Sequence, residues 1–347
     1  MRRLWHRVRN GVLVAAAVGL LVSACAPRFD LPGPEVVRPG LAADHMTAPD
    51  GRRITIRRHM AEAPQAVIVA AHGMNDYGNA FYLAGPWFAD RGISLVALDQ
   101  RGFGETPTRG RWPGTVAMAD DLARLVHLVK AEQPDLPVYL LGVSMGGAVA
   151  SVAAARHDLP VEGVILSGPA FWGWSKLNPV YRATLWTVAH VAPWYYLTGE
   201  GLRLWPSDNI EMLRALSRDK HMIRQTRVDA IYGLVTLMDD ALAAASDIDE
   251  PVLVLFGEKD EIVPLAPVEA VVARLPGEKR FVRYGEGWHM LLRDLQRERV
   301  YMDIRTWMQD HMAPLPSGEE VPPPLPGQSV AATSASENVA SGANSGH

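Results

Sequence analysis

Short apolar segments alternate along the chain with longer segments in which apolar residues recur every three or four positions. The short segments predict buried strands at residues 66–71, 94–98, 138–141, 163–166 and 252–256. The longer segments predict helices at residues 116–132, 145–156, 267–274 and 291–309. Such an alternation implies right-handed crossovers, and therefore a mainly parallel central sheet with helices on both faces.

The remaining elements and one interruption complete the predicted domain plan. Residues 53–58, behind the Pro49-Asp50-Gly51 turn, are predicted to be part of a leading hairpin, and residues 280–284 to be an edge strand. Residues 171–246 contain no convincing core strand but several helical segments and five tryptophans, which predicts an inserted helical cap, or lid. The sheet and its helices would then occupy residues 41–170 and 247–313.

The composition shows that the chain can build a core and argues against nucleic acid as a partner. Hydrophobic residues make up 48% of the chain and charged residues 21%, which is ample for a folded domain. The 34 basic and 38 acidic side chains give a formal charge of −4. This balance provides no general attraction to a phosphate backbone.

Residues 1–24 have the features of a secretory signal peptide. Four arginines precede an apolar run that is shorter than the roughly 20 residues of a membrane-spanning helix. The run ends in Ser23-Ala24-Cys25, which resembles a bacterial lipobox, where the cysteine is acylated and becomes the mature N-terminus. Cys25 is the only cysteine, so acylation would also remove a free exposed thiol. The alternatives are an ordinary cleaved signal and an uncleaved signal-anchor.

The segments outside the core lack a periodic apolar pattern. Residues 25–40 are predicted to be the acylated cysteine and a Pro-rich tether, which at about 3.3 Å per residue reaches at most roughly 50 Å. Residues 314–347 are predicted to be a disordered tail. Ala26 stands where an aspartate is associated with inner-membrane retention. We therefore expect a lipid-anchored protein of the bacterial envelope, at the outer membrane facing the periplasm where two membranes are present.

The candidate chemistry centres on Ser144, in the G-x-S-x-G pattern Gly142-Val143-Ser144-Met145-Gly146. The pattern follows an apolar strand and precedes an Ala-rich helix, a context that predicts a sharp strand-to-helix turn. A Cβ at Gly142 or Gly146 would crowd this turn. The turn would lift the Ser144 hydroxyl above the sheet and direct free N–H groups of the helix towards a reacting carbonyl.

A serine hydroxyl is a weak nucleophile near neutral pH, so a base must accept its proton. His289, directly after the last predicted strand, is the candidate base. Asp260, in the loop after the preceding strand, is the candidate acid that orients the imidazole. Two other carboxylates of that loop, Glu258 and Glu261, compete with Asp260 for the role.

The backbone N–H groups of Met74 and Met145 are the candidate oxyanion donors. Met74 follows the strand predicted at residues 66–71, and Met145 follows the candidate nucleophile. Loss of one such donor typically lowers a rate about 10²–10³-fold. His72, in the same loop as Met74, is interpreted as a structural residue. Because no histidine–carboxylate cluster has ligand spacing, neither a metal nor a cofactor is expected.

The motifs occur together in one order, namely His72-Gly73, Asp99-Gln100-Arg101-Gly102, the Ser144 turn, Gly257-x-x-Asp260-x-x-Val263-Pro264 and His289-x-Leu291-Leu292. From about residue 45 to 310 the chain thereby resembles the monoacylglycerol lipase and lysophospholipase branch of the α/β-hydrolases. The resemblance implies the α/β-hydrolase fold with an inserted helical cap, a serine–aspartate–histidine triad, and single-chain lipids or other small esters as substrates. It also implies that residues 99–102 form a structural loop beneath the oxyanion hole.

The chain departs from this branch in the oxyanion loop and in the cap. Asn75-Asp76-Tyr77 replaces the Gly-Glu-His run that often follows in monoacylglycerol lipases, and the cap sequence does not match residue by residue. These departures leave the triad intact and the substrate open.

We therefore expect a membrane-anchored serine hydrolase that cleaves carboxylic esters of single-chain lipids through an acyl-enzyme. A short-chain carboxylesterase or a thioesterase with the same triad is the enzymatic alternative, whereas a peptidase is disfavoured because no acidic cluster would bind a substrate amine. An inactive hydrolase-fold lipoprotein that serves as a binding scaffold is the alternative from a different class. The expected partners are a small lipid or ester and, through the anchor, a membrane.

Overall fold

A computed structural model describes residues 26–199 and 204–325. The predicted signal peptide and Cys25 lie outside these residues. The described strands are β1 (Gly40–Leu41), β2 (His45–Thr47), β3 (Arg53–His59), β4 (Ala66–Ala71), β5 (Ile93–Leu98), β6 (Val138–Val143), β7 (Gly163–Ser167), β8 (Tyr196–Thr198), β9 (Gln225–Arg227), β10 (Val252–Gly257), β11 (Lys279–Tyr284) and β12 (Glu320–Val321).

The strands form a large, mainly parallel sheet, as the alternation predicted. Its order is β1-β2-β3-β5-β4-β6-β7-β10-β11-β12, and the six strands from β5 to β11 in that order run parallel. The central strands β4, β5, β6, β7 and β10 are buried at every position, which is why their sequences are apolar throughout instead of alternating. Strands β8 and β9 form a separate antiparallel pair in the cap.

Helices cover both faces of this sheet. The described α-helices are α1 (Ala84–Ala89), α2 (Thr115–Glu132), α3 (Met145–Arg156), α4 (Pro179–Val191), α5 (Ile210–Leu216), α6 (Val228–Ala244), α7 (Leu265–Val272) and α8 (Arg297–Gln309). Two separate clusters of buried apolar residues lie on the two sides of the sheet. None of the helices in the described ranges is long and apolar enough to cross a membrane.

The N-terminal segment is not the free tether that its composition predicted. Phe29 packs against the core, and Asp30 donates its N–H to the Trp112 carbonyl at 2.7 Å. The N–H groups of Val36 and Val37 both donate to the carbonyl of Pro49. The predicted tether at residues 25–40 is therefore wrong from Phe29 onwards. Long-range hydrogen bonds hold this proline-rich segment, and such bonds leave no periodic pattern in the sequence.

The C-terminal boundary predicted at residue 314 also needs correction. Leu315 is buried, and β12 pairs antiparallel with β11, so β11 is not the edge strand. Arg280, on β11, forms an ion pair with Glu320 and donates to two carbonyls after α8. The folded part therefore extends to at least Val321. A two-residue strand held by one arginine leaves no recognisable pattern in the sequence.

The cap is smaller than the predicted range of 171–246. Helix α6 packs along α3 and buries its apolar face in the core cluster, so it belongs to the body of the domain. The part that stands over the sheet comprises α4, the antiparallel β8–β9 pair and α5. We use the name cap below for residues 171–227.

Candidate active site

Ser144 occupies the sharp turn between β6 and α3 that its glycine pattern predicted. Its backbone has φ 54° and ψ −117°, a left-handed conformation that is strained for a residue with a side chain. A Cβ on Gly142 would overlap the Gly146 carbonyl, and one on Gly146 would overlap the Ala71 carbonyl. The two glycines are therefore required for β6, α3 and β4 to meet at this point.

Asp260 and His289 lie together at the ends of β10 and β11. The imidazole Nδ1 lies 2.7 Å from Asp260 Oδ2, and both side chains are buried. The other oxygen of Asp260 accepts the N–H groups of Ile262 and Val263, at 2.8 and 2.9 Å. The carboxylate is thus fixed by its own loop in the orientation that the imidazole needs.

The two carboxylates that compete with Asp260 in the sequence have other partners. Glu258 accepts a hydrogen bond from Arg283 at 2.5 Å. Glu261 accepts the backbone N–H of Trp205, in the cap, at 2.7 Å. The geometry therefore selects Asp260 as the partner of His289.

Ser144 and His289 both lie against the turn that follows β7. The Ser144 N–H donates to the Ser167 carbonyl, and the Ser144 carbonyl accepts from Ala170, both at 3.0 Å. Gly168 lies between Ser167 and Ala170 in this turn, and a Cβ on it would lie 3.3 Å from His289 Nδ1. Among the described hydrogen bonds none joins Ser144 Oγ to the imidazole, a contact that is often long in unliganded enzymes and tightens with substrate.

The N–H groups of Met74 and Met145 are both available at the site. Neither donates to an acceptor within the part of the chain that the structure describes, and both residues line the same cavity as Ser144. A Cβ on Gly73, which precedes Met74, would lie 3.3 Å from the Ser144 Cβ. The loop after β4 thus passes directly beside the serine, as an oxyanion site requires.

His72 supports this loop and has no free nitrogen. Its Nδ1 lies 2.8 Å from the Gly73 carbonyl, and its Nε2 accepts the Gln100 N–H at 3.0 Å. Complete burial lowers the pKa of His72, so the neutral ring that fits these two contacts is favoured. The structural interpretation of His72 agrees with this geometry.

The loop at residues 99–102 is also structural. Arg101 is buried between Asp50 and Asp121 and forms ion pairs with both. Asp99 accepts the backbone N–H groups of Gly78 and Glu105, at 2.8 and 2.9 Å. These contacts hold the loop beneath the Met74 segment.

One buried ion pair at the site was missed by sequence reasoning. Arg293 Nη2 lies 2.6 Å from Asp76 Oδ2, and both side chains are almost fully buried. Asp76 lies two residues after Met74, and Arg293 lies four residues after His289. The pair therefore joins the loop of the candidate oxyanion donor to the loop of the candidate base. In the sequence, the unusual Asn75-Asp76-Tyr77 run was the only signal that pointed to this ion pair.

A second buried carboxylate joins the cap to the histidine loop. Asp294 accepts the Ser207 hydroxyl at 2.6 Å and the Trp288 N–H at 2.8 Å. Burial raises the pKa of Asp294 to about 6. Met290 adds a backbone hydrogen bond to Pro206 at 2.9 Å. The segment that leads into α5 is thus held directly against the residues on either side of His289.

An apolar cavity of about 690 Å³ opens onto Ser144 beneath the cap. Its walls come from the loop after β4, α4, the β8–β9 pair, α6 and the Asp260 loop. The lining side chains include Trp172, Leu185, Leu197, Leu234 and Met238. No lining residue in the described ranges is charged. Nor do those ranges contain a cluster of three or more residues that could hold a metal ion.

Comparisons with known proteins agree with this architecture. Residues 62–296 match the family described as serine aminopeptidase, S33. The chain is 26% identical over 265 residues to a monoacylglycerol lipase of Mycolicibacterium smegmatis, covering 72% of this chain and 90% of that protein. It is 26% identical over 257 residues to the phospholipase YtpA of Bacillus subtilis, covering 73% of this chain and 98% of that protein.

The fold is likewise that of solved hydrolases. A soluble variant of monoglyceride lipase from Saccharomyces cerevisiae, in complex with a substrate analogue, superposes with a TM-score of 0.66 at 17% identity. The superposition covers 83% of this chain and 99% of the yeast chain. At this identity the similarity shows the fold alone.

Proposed function

The chain belongs to the α/β-hydrolase family described as serine aminopeptidase, S33, and from that membership we propose that Ser144, His289 and Asp260 hydrolyse carboxylic esters of single-chain lipids. The chain is an ester hydrolase with a helical cap.

The observation that carries the substrate class is the uncharged cavity at Ser144. An acyl chain gains free energy from burial, at about 25 cal/mol per Å² of apolar surface, when it enters such a cavity. A peptide with a free amino group would need a carboxylate in the pocket, and none lines it within the described ranges. The similarity to a monoacylglycerol lipase and a phospholipase supports the same choice.

The mechanism follows from the positions of the side chains. His289 accepts the Ser144 proton as the hydroxyl oxygen attacks the ester carbonyl, and the Met74 and Met145 N–H groups stabilise the oxyanion. The imidazolium, held by Asp260, then gives its proton to the departing alcohol, which leaves an acyl-enzyme. Water, deprotonated by His289, attacks this ester and releases the fatty acid and free Ser144.

We also propose that the enzyme works as a lipoprotein of the bacterial envelope. Ser23-Ala24-Cys25 supports acylation of Cys25 after removal of residues 1–24. The identity of residue 26, an alanine, favours the outer membrane facing the periplasm where two membranes are present. In this location the substrate is a lipid of the membrane that carries the enzyme.

The decisive experiment measures kcat/KM for the full chain with monoacylglycerols and lysophospholipids of increasing acyl length. We expect kcat/KM to rise with each added methylene, by up to about fourfold per CH₂ when its burial contributes about 0.8 kcal/mol. The matched control is Ser144→Ala, which must abolish turnover of every substrate. A maximum at acetyl or butyryl esters, or at thioesters, would favour the short-chain carboxylesterase or thioesterase instead. Absence of turnover in the wild-type chain would favour the alternative that the protein is an inactive binding scaffold.

A further inference from the structure

The loop after β4 is hydrogen-bonded to one segment of the cap, residues 219–226. The side-chain amide of Asn75 donates through Nδ2 to the Thr226 hydroxyl oxygen at 2.8 Å. The Asn75 carbonyl accepts the Ile223 N–H at 3.0 Å. Because Asn75 directly follows Met74, both contacts act one residue away from the candidate oxyanion donor.

Asn75 has a backbone conformation that glycine adopts more readily. Its φ is 65°, and only Ser144 shares a positive φ among the non-glycine residues of the described ranges. Asparagine tolerates this left-handed conformation better than most residues with a side chain. In monoacylglycerol lipases a glycine often stands at this position, and a glycine has no side chain that could reach a cap. The Asn75 amide therefore adds a contact that the turn itself does not require.

Further hydrogen bonds fix the cap segment to the body of the domain. The Tyr77 hydroxyl, in the loop after β4, donates to Asp219 Oδ2 at 2.6 Å. Arg109, in the connection from β5 to α2, donates to the Lys220 carbonyl at 3.0 Å. The segment is thus held at its start and can serve as a fixed support for the loop that it contacts.

The side chains of Asn75 and Thr226 are placed to act on a substrate through Met74. Both lie outside the lining of the cavity at Ser144, whereas Met74 is part of that lining. An oxyanion donor must lie about 2.7–3.1 Å from the oxygen on which charge develops. A misplacement of about 1 Å can lower a rate about 10²-fold. The hydrogen bond between Asn75 and Thr226 should therefore affect the rate and not the binding of substrate.

We propose that Asn75 and Thr226 are positioning residues of the oxyanion site, which use the cap segment at residues 219–226 to hold the Met74 N–H in place. This role rests on the proposed ester hydrolysis and deepens it, because part of the cap then sets the rate of acyl transfer. Asp76, held by Arg293 of the histidine loop, supplies a second support to the same loop.

The first test measures kcat and KM of the full chain for a water-soluble short-chain ester. Thr226→Val keeps the branched shape and suits a strand, but it removes the hydroxyl. Asn75→Gly keeps the left-handed turn and removes the amide. We expect each substitution to lower kcat about tenfold, less than the loss of a whole donor, with little change in KM. The double variant should lose no more than the weaker single variant, because both substitutions remove the same hydrogen bond.

Two controls separate positioning from a general effect on the fold. Thr226→Ser keeps the hydroxyl and should restore most of the kcat that Thr226→Val loses. Thr236→Val makes the same chemical change on α6, where the Thr236 hydroxyl accepts the Trp174 indole N–H at 3.1 Å. It should leave kcat and KM unchanged. Thermal melts verify that every variant is folded at the temperature of the assay.

The second test compares the inhibition constants of a trifluoromethyl ketone and an alcohol of the same chain length. The Ser144 oxygen adds to the ketone carbon, the hydroxyl proton passes to His289, and the carbonyl oxygen becomes an oxyanion on the Met74 and Met145 N–H groups. The alcohol fills the cavity but has no carbonyl. Thr226→Val should weaken inhibition by the ketone about tenfold and leave inhibition by the alcohol unchanged.

The outcomes separate the positioning role from the proposed function. A wild-type chain that hydrolyses the ester, with equal kcat in Thr226→Val and Thr236→Val, overturns the positioning role and leaves the hydrolase. A loss confined to KM, an equal loss of alcohol binding, or additive losses in the double variant overturn it as well. A wild-type chain that turns over no ester contradicts the proposed function, and the positioning role fails with it.

Discussion

Asp76 and Arg293 show how single residues hold the site in place. Their ion pair joins the Met74 loop to the His289 loop and is almost completely removed from water. Removing one partner of such a pair leaves the other charge buried and unpaired, which costs about 3–5 kcal/mol. The position of both loops relative to Ser144 depends on this contact.

We expect Asp76→Asn to lower the free energy of unfolding by about 3 kcal/mol. Because a displaced oxyanion donor acts on the transition state, kcat for a water-soluble ester should fall by about 10²-fold with little change in KM. Denaturant melts and steady-state kinetics measure both effects. The control is Glu132→Gln, which breaks an exposed ion pair with Arg58 and should change stability by less than about 0.5 kcal/mol. Equal effects of the two substitutions would contradict this role.

Asp294 makes the stability of the site depend on pH. Burial raises the pKa of its carboxyl to about 6 in the folded protein, from its ordinary value of 3.8. Folding therefore favours the protonated form. The resulting stabilisation is fully present below about pH 4 and is lost as pH rises through 6.

Asp294→Asn should remove this dependence, since an amide does not ionise. We expect the melting temperature of the variant to rise relative to that of the wild type as pH increases from about 5 to about 8. Thermal melts across that range measure it. The exposed Asp135→Asn is the control, because Asp135 does not share this buried environment. A difference that stays constant with pH would contradict the assignment.

At the scale of secondary structure, the cap helices and the core helices differ in how firmly they are held. Nearly every residue of α3 is buried, whereas in α4 only Ala189 is buried. Segments with few buried contacts open at low free-energy cost. Helix α4 is therefore suited to move when a lipid enters.

Hydrogen exchange should distinguish these two helices. We expect amides of α4 to exchange much faster than those of α3, and to become protected when a long-chain alkyl phosphonate occupies the cavity. Mass spectrometry of peptic peptides measures this. A phosphonate with a methyl group in place of the long chain is the control, since it reacts at Ser144 without filling the cavity. Equal protection of α4 by both compounds would contradict the proposed movement.

Elements whose neighbours bury them on all sides were predictable from the sequence. Strands β4 and β6 and helix α3 begin where the apolar pattern places them, because burial on both faces leaves uninterrupted apolar runs. Helix α6 was placed in the cap because an amphipathic pattern shows that one face is buried but not against which partner. The pairing of Asp76 with Arg293, across 217 positions, has no local signal at all.

For the whole molecule, the proposed lipid anchor makes a prediction about the chemical state of residue 25. The wild-type protein should incorporate labelled palmitate, and Cys25→Ala should abolish the incorporation because it removes the thiol that is acylated. Metabolic labelling measures this, and Ser23→Ala, which keeps a small residue before the cysteine, is the control. A wild-type chain that carries no label would contradict the lipid anchor.

The most direct test of the account is to react the full chain with an alkyl fluorophosphonate and map the modified residue by mass spectrometry. The account predicts one adduct, on Ser144, which His289→Ala slows by several orders of magnitude and Ser144→Ala abolishes. Modification at another residue, or labelling of Ser144 at an undiminished rate in His289→Ala, would contradict it.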